Sequence, residues 1–245
     1  MGLLMHWRWA VIGLMGVAAP RASADQPDMT ILFHVRPPYS YYGPDHQVAG
    51  LLPEAVSAAL TKVGLTAKWV EMPPARQTEE IKRGRDATCG LGWFKRPERE
   101  TYASFTDPIY HDRPTIVVAR KDDARFTDGM SLQASFKDPA RTLVVKTGYS
   151  YGAAIDAWIK ALQPRAEISS VANELLLGMI VQDRVDYAVM APEEAEDLLG
   201  SRTDLGAALR PVKLSDAPAG ELRYLMCSQA TPADLIMRIN QALPR

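Results

Sequence analysis

Cationic side chains gathered beside a strand are the first chemistry this sequence offers. The stretch CGLGWFKRPERETYASFTDPIY, Cys89–Tyr110, passes from an apolar run into Lys95, Arg96, Glu98, Arg99 and Glu100, then into Phe105, Thr106, Asp107 and Pro108. A guanidinium can hold a carboxylate through two parallel hydrogen bonds, and it keeps its charge when water is withdrawn. Arg99 is therefore a candidate grip for an anionic group; a solvated turn is the plainer alternative. Gly148, Tyr149 and Ser150 form a second candidate. A glycine turn that opens a helix offers unpaired backbone N–H groups and a hydroxyl to an anion, although Ser150 also suits an ordinary cap. Arg36 and Arg76 add positive charge, either to the same place or to a solvated surface. Trp93 and Phe94 add aromatic area that walls a cleft or packs in a core.

Other chemistries find no pattern. His34, His46 and His111 lie in separate segments without metal-ligand spacing. There is no G-x-S-x-G elbow and no phosphate loop. A formal charge of −1 over 245 residues gives no basic field for nucleic acid.

The elements that must position these groups alternate. TILFHV (Thr30–Val35) is a strand. GLLPEAVSAALTKVG (Gly50–Gly64) spaces Leu52, Val56, Ala59, Leu60 and Val63 as one helical face. AKWVEM (Ala67–Met72) is a strand, ARQTEEIKRG a helix and ATCGLGW (Ala87–Trp93) a strand, a parallel α/β unit. A second set starts at TIVVAR (Thr115–Arg120). It continues through the strand, glycine turn and helix of Thr142–Leu162, and through strands and helices to PEEAEDLL. ELRYLMCSQ (Glu221–Gln229) and PADLIMRINQAL (Pro232–Leu243) are a late strand and helix without an evident neighbour. Two α/β halves of this kind invite a ligand between them.

The first 24 residues read as a secretory signal peptide. Trp9–Ala19 is apolar and too short to span a membrane, and Ala22–Ala24 is a small-residue cleavage site. Cleavage there leaves 26 basic and 29 acidic residues, a formal charge of −3. Cys89 and Cys227 are the only cysteines. In an exported chain they pair or remain two buried thiols, and composition leaves both open.

Four motifs in order resemble the bacterial solute-binding protein family 3, the periplasmic polar-amino-acid-binding type. They are PPYSYYGPDHQVAGLLPEAV, with Pro38-Tyr39, Gly50 and Glu54; PERETYASFTDPIY, with Arg99 six residues before Phe105-Thr106; VVKTGYSYG; and QDRVDYAVM. The resemblance implies a two-lobe, type II periplasmic-binding-protein fold. Each lobe is a central, mostly parallel sheet flanked by helices, and the chain crosses twice. Residues 25–111 and 218–245 would form lobe one and residues 112–217 lobe two, with hinges near Ile109–Pro114 and Ala217–Gly220.

The same resemblance implies that Arg99 takes a ligand carboxylate, that Tyr39 and the Gly148–Ser150 turn contribute to the pocket, and that Cys227 lies beside Cys89 as a disulfide. It implies a monomeric periplasmic protein without cofactor or metal. Its function would be capture of a small anionic or zwitterionic ligand for an ABC permease or a membrane sensor, not catalysis. Alternatives on the same fold are a sensor or accessory domain, or a dehydratase-like enzyme using Glu54, Glu71 or Glu193. The chain departs from the family at Ala191, where amino-acid binders carry the aspartate that holds the α-ammonium. It departs also at Arg36, in place of an aromatic, and at Gly92 and Phe94, in place of hydroxyl-bearing residues. If Arg36, Arg76 and Arg99 converge, the expected ligand is a dicarboxylate or another organic acid.

Overall fold

A computed structural model describes residues 26–244 and Gly2. The signal peptide expected over residues 1–24 therefore lies outside the described residues.

The chain builds two sheets and visits the first one twice. Its first passage lays down β1 (Met29–Phe33), the short hairpin β2 (Tyr41–Tyr42) and β3 (Val48–Ala49), α1 (Leu51–Lys62), β4 (Ala67–Glu71), α2 (Pro74–Arg83), β5 (Thr88–Phe94), α3 (Pro97–Glu100), β6 (Ala103–Phe105) and β7 (Tyr110–His111). The second lobe holds β8 (Ile116–Arg120), α4 (Leu132–Lys137), β9 (Leu143–Lys146), α5 (Ala153–Leu162), β10 (Ala166–Ser169), α6 (Asn173–Val181), β11 (Tyr187–Met190), α7 (Pro192–Ser201), α8 (Thr203–Ala208) and β12 (Leu209–Val212). The chain then returns as β13 (Leu222–Ser228) and closes with α9 (Ala233–Ala242).

The first sheet runs β4-β1-β5-β13-β6, with β7 also on β13. Strands β4, β1 and β5 are parallel, and β13 inserts antiparallel beside β5. This gives the late strand its neighbour. The register sets Cys227 opposite Cys89, and the two form a disulfide, both fully buried. The second sheet runs β10-β9-β11-β8-β12. Here β10, β9 and β11 are parallel, whereas β8 is antiparallel to both neighbours.

Local signals explain most elements. In α1 the residues Leu52, Val56, Ala59 and Leu60 are buried against the first sheet, the face expected from their spacing. Helix α2 starts on Pro74 and ends at Gly84, whose left-handed φ of 57° suits a residue without Cβ. Strand β8 is buried on both sides, with Val117, Val118 and Ala119 fully inaccessible, which is why its sequence is a continuous apolar run.

One expectation needs correction. Gly148 does not open the following helix. A loop of five residues, 148–152, intervenes, and α5 begins at Ala153 behind Gly152. Three of the loop's amides are already used, Tyr149 N, Tyr151 N and Gly152 N donating to Lys146 O, Asp156 and Ser150, and Ala153 N at the start of α5 donates to Glu221 at 2.7 Å. At Tyr151 and Ala153, internal carboxylates take the N–H groups that an incoming anion was expected to find unpaired.

Candidate functional site

Three arginines of the first lobe, Arg36, Arg223 and Arg99, line the cavities of the cleft, each held by a different device. Arg36 follows β1, and its side chain is 19% exposed. Its Nε and Nη2 donate to the two oxygens of Glu194, each at 2.6 Å, across the gap between the lobes. Glu194 sits in the first turn of α7, is 3% exposed, and also accepts from Asn173 Nδ2 at 2.8 Å. Burial opposes both charges. The Glu194 carboxylate nevertheless holds Arg36 above its ordinary value, and Arg36 holds Glu194 below the usual carboxylate range.

Arg223 projects from β13, a charge inside an otherwise apolar strand. Its Nε donates to Asp112 at 2.7 Å, with both side chains almost fully buried. Tyr39 donates to the same Asp112 oxygen at 3.0 Å. Gly92 allows this arrangement. Its φ of 73° accompanies the register shift between β5 and β13, and its carbonyl accepts from Arg223 Nη1 at 3.2 Å. That is the role the structure gives to a glycine where a hydroxyl residue was the family expectation.

Arg99 lies on α3, half-buried. Its Nη1 donates to the Phe94 carbonyl at 2.7 Å, and its guanidinium lies 4.7 Å from the Trp93 ring. Trp93 is in turn fixed by its Nε1 donating to the fully buried Gln77. Burial first, and the nearby Arg96 charge after it, lower the Arg99 pKa, yet an arginine stays charged. Arg99 makes no ion pair among the described residues.

Cations and rings alternate across the cleft. Lys146 lies 4.5 Å from the Tyr149 ring, Arg36 lies 4.9 Å from Tyr149 and 5.2 Å from Tyr39, and Arg223 lies 4.1 Å from Tyr39 and 4.8 Å from Phe94. Arg96 closes the column, 5.4 Å from Phe94. Lys146 and Tyr149 belong to the second lobe and the rest to the first, so the column ties the lobes together. Further contacts span the gap. Tyr149 Oη meets His34 Nε2 at 3.3 Å, and Arg96 donates to Ser150 at 3.0 Å while facing Glu221 at 3.5 Å. Burial, then Arg36 and Lys146, push His34 down to about 4, so it is neutral near pH 7.

The space left is narrow. One cavity of about 60 Å³ is lined by Arg36, Lys146, Tyr149, Glu194 and Arg223 among others, and an adjoining one of the same size by Arg36, Trp93, Phe94, Arg99 and Arg223 among others. At roughly 10–15 Å³ per water each holds only a handful of waters. A larger cavity of about 650 Å³ lies beyond Arg36 and Glu194, against the Tyr41–Tyr42 hairpin.

Of the site residues expected from sequence, the structure brings Arg36, Trp93, Phe94, Arg99, Gly148, Tyr149 and Ser150 to these cavities. Tyr39 lines neither: it is 1% exposed and sits behind Arg36 and Arg223 as their support. Arg76 is exposed and lines neither, because it falls on the solvent side of α2 while Gln77 and Ile81 face inward. The arginines that converge are thus Arg36, Arg99 and Arg223, not the set with Arg76. Ala191 lines the first cavity, and the acid nearest to it in sequence that also lines it is Glu194, one helical turn on.

Sequence reading missed Asp112, Lys146, Glu194 and Arg223 as site residues. Only Arg223 carried a signal, a charge within an apolar strand. Glu54 and Glu71 are exposed, and Glu193 is held by Tyr110 and Arg113; none of the three lines these two cavities. Among the described residues no His, Cys, Asp and Glu cluster is placed to hold a metal ion, and no helix is long and apolar enough to cross a membrane.

Comparison with known proteins adds the family. The family described as bacterial extracellular solute-binding proteins, family 3, matches residues 30–243. No curated protein sequence matches. Among solved structures, an ancestral arginine-binding protein bound to arginine is 16% identical with a TM-score of 0.69, the match covering 89% of this chain and 91% of that one. A histidine kinase sensor domain with similarity to periplasmic binding proteins is 19% identical with a TM-score of 0.68, covering 87% of each chain. An ancestral amino acid-binding protein, a precursor of cyclohexadienyl dehydratase, is 18% identical with a TM-score of 0.65, covering 87% and 86%. At these identities the likeness carries the fold, the two-lobe type II architecture of periplasmic binding proteins.

Proposed function

The chain belongs to the bacterial extracellular solute-binding proteins of family 3, and on that premise we propose that it captures a small carboxylate-bearing solute between its lobes and presents the closed form to an ABC permease. Export would follow from the signal peptide read over residues 1–24. The observation that carries the proposal is Arg99: a guanidinium braced by Phe94 and Trp93 on the cleft wall, partly desolvated and without an acid partner among the described residues. A group in that state gains most from an incoming carboxylate. The crossover segments lie together, with Asp112 N donating to Glu221 O at 2.9 Å, where a hinge between the lobes belongs.

A thermal-shift screen of residues 25–245 against amino and organic acids tests this. A ligand at 100 times its Kd stabilises the folded state by about 2.7 kcal/mol. Arg99→Gln removes one partner of a charge pair, about 2 kcal/mol or more, and is expected to weaken the best ligand at least 30-fold. Equal affinity in wild type and Arg99→Gln would overturn the assignment of Arg99.

A further inference from the structure

Charge pairing inside the cleft discriminates between kinds of acid. Three acids line the two small cavities, and each is committed: Glu194 to Arg36, Asp112 to Arg223, and Glu221 to Arg96 and the Ala153 amide. Five cations line them. Arg36 and Arg223 are paired within the cleft, and Arg113 is paired with Glu193 and Glu196 outside it. Two remain. Arg99 and Lys146 have no ion-pair partner among the described residues; Lys146 Nζ donates to the neutral Asn173 Oδ1 at 2.8 Å and lies over the Tyr149 ring. Burial, with Arg36 next in weight, lowers the Lys146 pKa, the mark of a cation short of compensation. The cavity that contains Arg99 has three arginines and no acid in its wall. An ammonium group placed here would meet surplus positive charge with no uncommitted carboxylate to receive it, which is costly away from water.

We propose that the solute of this cleft is a small dicarboxylate without an ammonium group, one carboxylate on Arg99 and the other facing Lys146. This rests on the capture reading above. The two cations lie in adjoining cavities that share Arg36, Phe94, Tyr149, Ser150 and Arg223 as a common wall, so a two-ended anion matches the number of the unpaired charges and their placement in neighbouring cavities.

Titration calorimetry of residues 25–245 tests it with malonate, succinate, glutarate and adipate, and with aspartate, glutamate and butyrate. Succinate and aspartate differ by one ammonium, as do glutarate and glutamate; butyrate lacks the second carboxylate. At least one dicarboxylate is expected to bind tenfold or more tighter than its amino counterpart and than butyrate. Lys146→Gln keeps a donor for Asn173 and is expected to remove the advantage over butyrate, and Lys146→Arg to restore it. Amino counterparts binding as tightly as the dicarboxylates would overturn the inference. So would a Lys146→Gln protein, folded by circular dichroism, with the wild-type preference. If arginine or glutamine binds and no dicarboxylate does, this inference falls and capture stands; if no acid of either kind binds the folded protein, both fall.

Discussion

Replacing Glu194 by glutamine isolates one buried ion pair among the contacts that join the lobes. The two carboxylate oxygens accept from Arg36 Nε and Nη2, and one of them also accepts from Asn173. Glutamine preserves the shape but turns one acceptor into a donor facing a donor. It also leaves the guanidinium uncompensated between two tyrosine rings. Breaking a buried pair from one side costs about 3–5 kcal/mol. Arg36 keeps 19% exposure, which places the loss near the lower end, about 3 kcal/mol on the same scale. In an opened molecule both groups reach water, so the cost falls on the closed form rather than on folding. At 1.4 kcal/mol per factor of ten, the closed-to-open ratio should drop on the order of 100-fold. Small-angle scattering, or energy transfer between dyes on the two lobes, should show a larger mean separation for Glu194→Gln, with little change in the urea midpoint. The double variant Arg36→Met with Glu194→Leu, which replaces the pair by apolar bulk, should close again. A Glu194→Gln protein with an unchanged distance distribution would refute this account, as would one that loses the full amount in unfolding free energy while staying closed.

Three further outcomes follow from other contacts. The Cys89–Cys227 bridge spans 138 residues of sequence, and loop-entropy arithmetic assigns such a cross-link about 5 kcal/mol; urea melts of the oxidised and reduced protein should differ by that order, and coincident midpoints would sink the claim. His34 has a folded pKa of about 4 against an unfolded value near 6.5, so the unfolded chain binds the extra proton first and stability falls as pH drops from 6.5 towards 4. Wild type should lose about 2 kcal/mol more than His34→Gln between pH 7.5 and 5, and parallel urea-stability profiles would refute it. Gly220 sits where an added Cβ would lie 1.5 Å from the Asp112 carbonyl oxygen, so Gly220→Ala must push the two crossover segments apart. A loss of about 2 kcal/mol or more is expected in chemical denaturation, and wild-type stability in that variant would contradict the packing.

Much of the fold was legible because its signals are local. Helix α1 announced its buried face through the spacing of Leu52, Val56, Ala59 and Leu60, and α2 its end through Gly84. The strands β1, β5 and β8 were readable as apolar runs between breaks, and β4 and β13 as strands despite their charges. The two-residue strands β2, β3 and β7 were not, since nothing but their partners makes them strands. Nor was the reversed direction of β8 in its sheet, which depends on how the chain enters the second lobe. Arg99 was singled out because motif order survives in sequence, and the structure puts it in a cavity wall; the Cys89–Cys227 bridge was expected because the resemblance placed two strands side by side.

The sequence by itself determined the alternation of strands and helices and the order of the family motifs, with Arg99 among them. Tertiary structure alone decided which charges are spent. Arg36 meets Glu194 across 158 positions and Arg223 meets Asp112 across 111, while Arg99 and Lys146 have no ion-pair partner among the described residues. The reason is physical: a side chain's type is written locally, but its partner and its loss of water are set only when distant segments pack together.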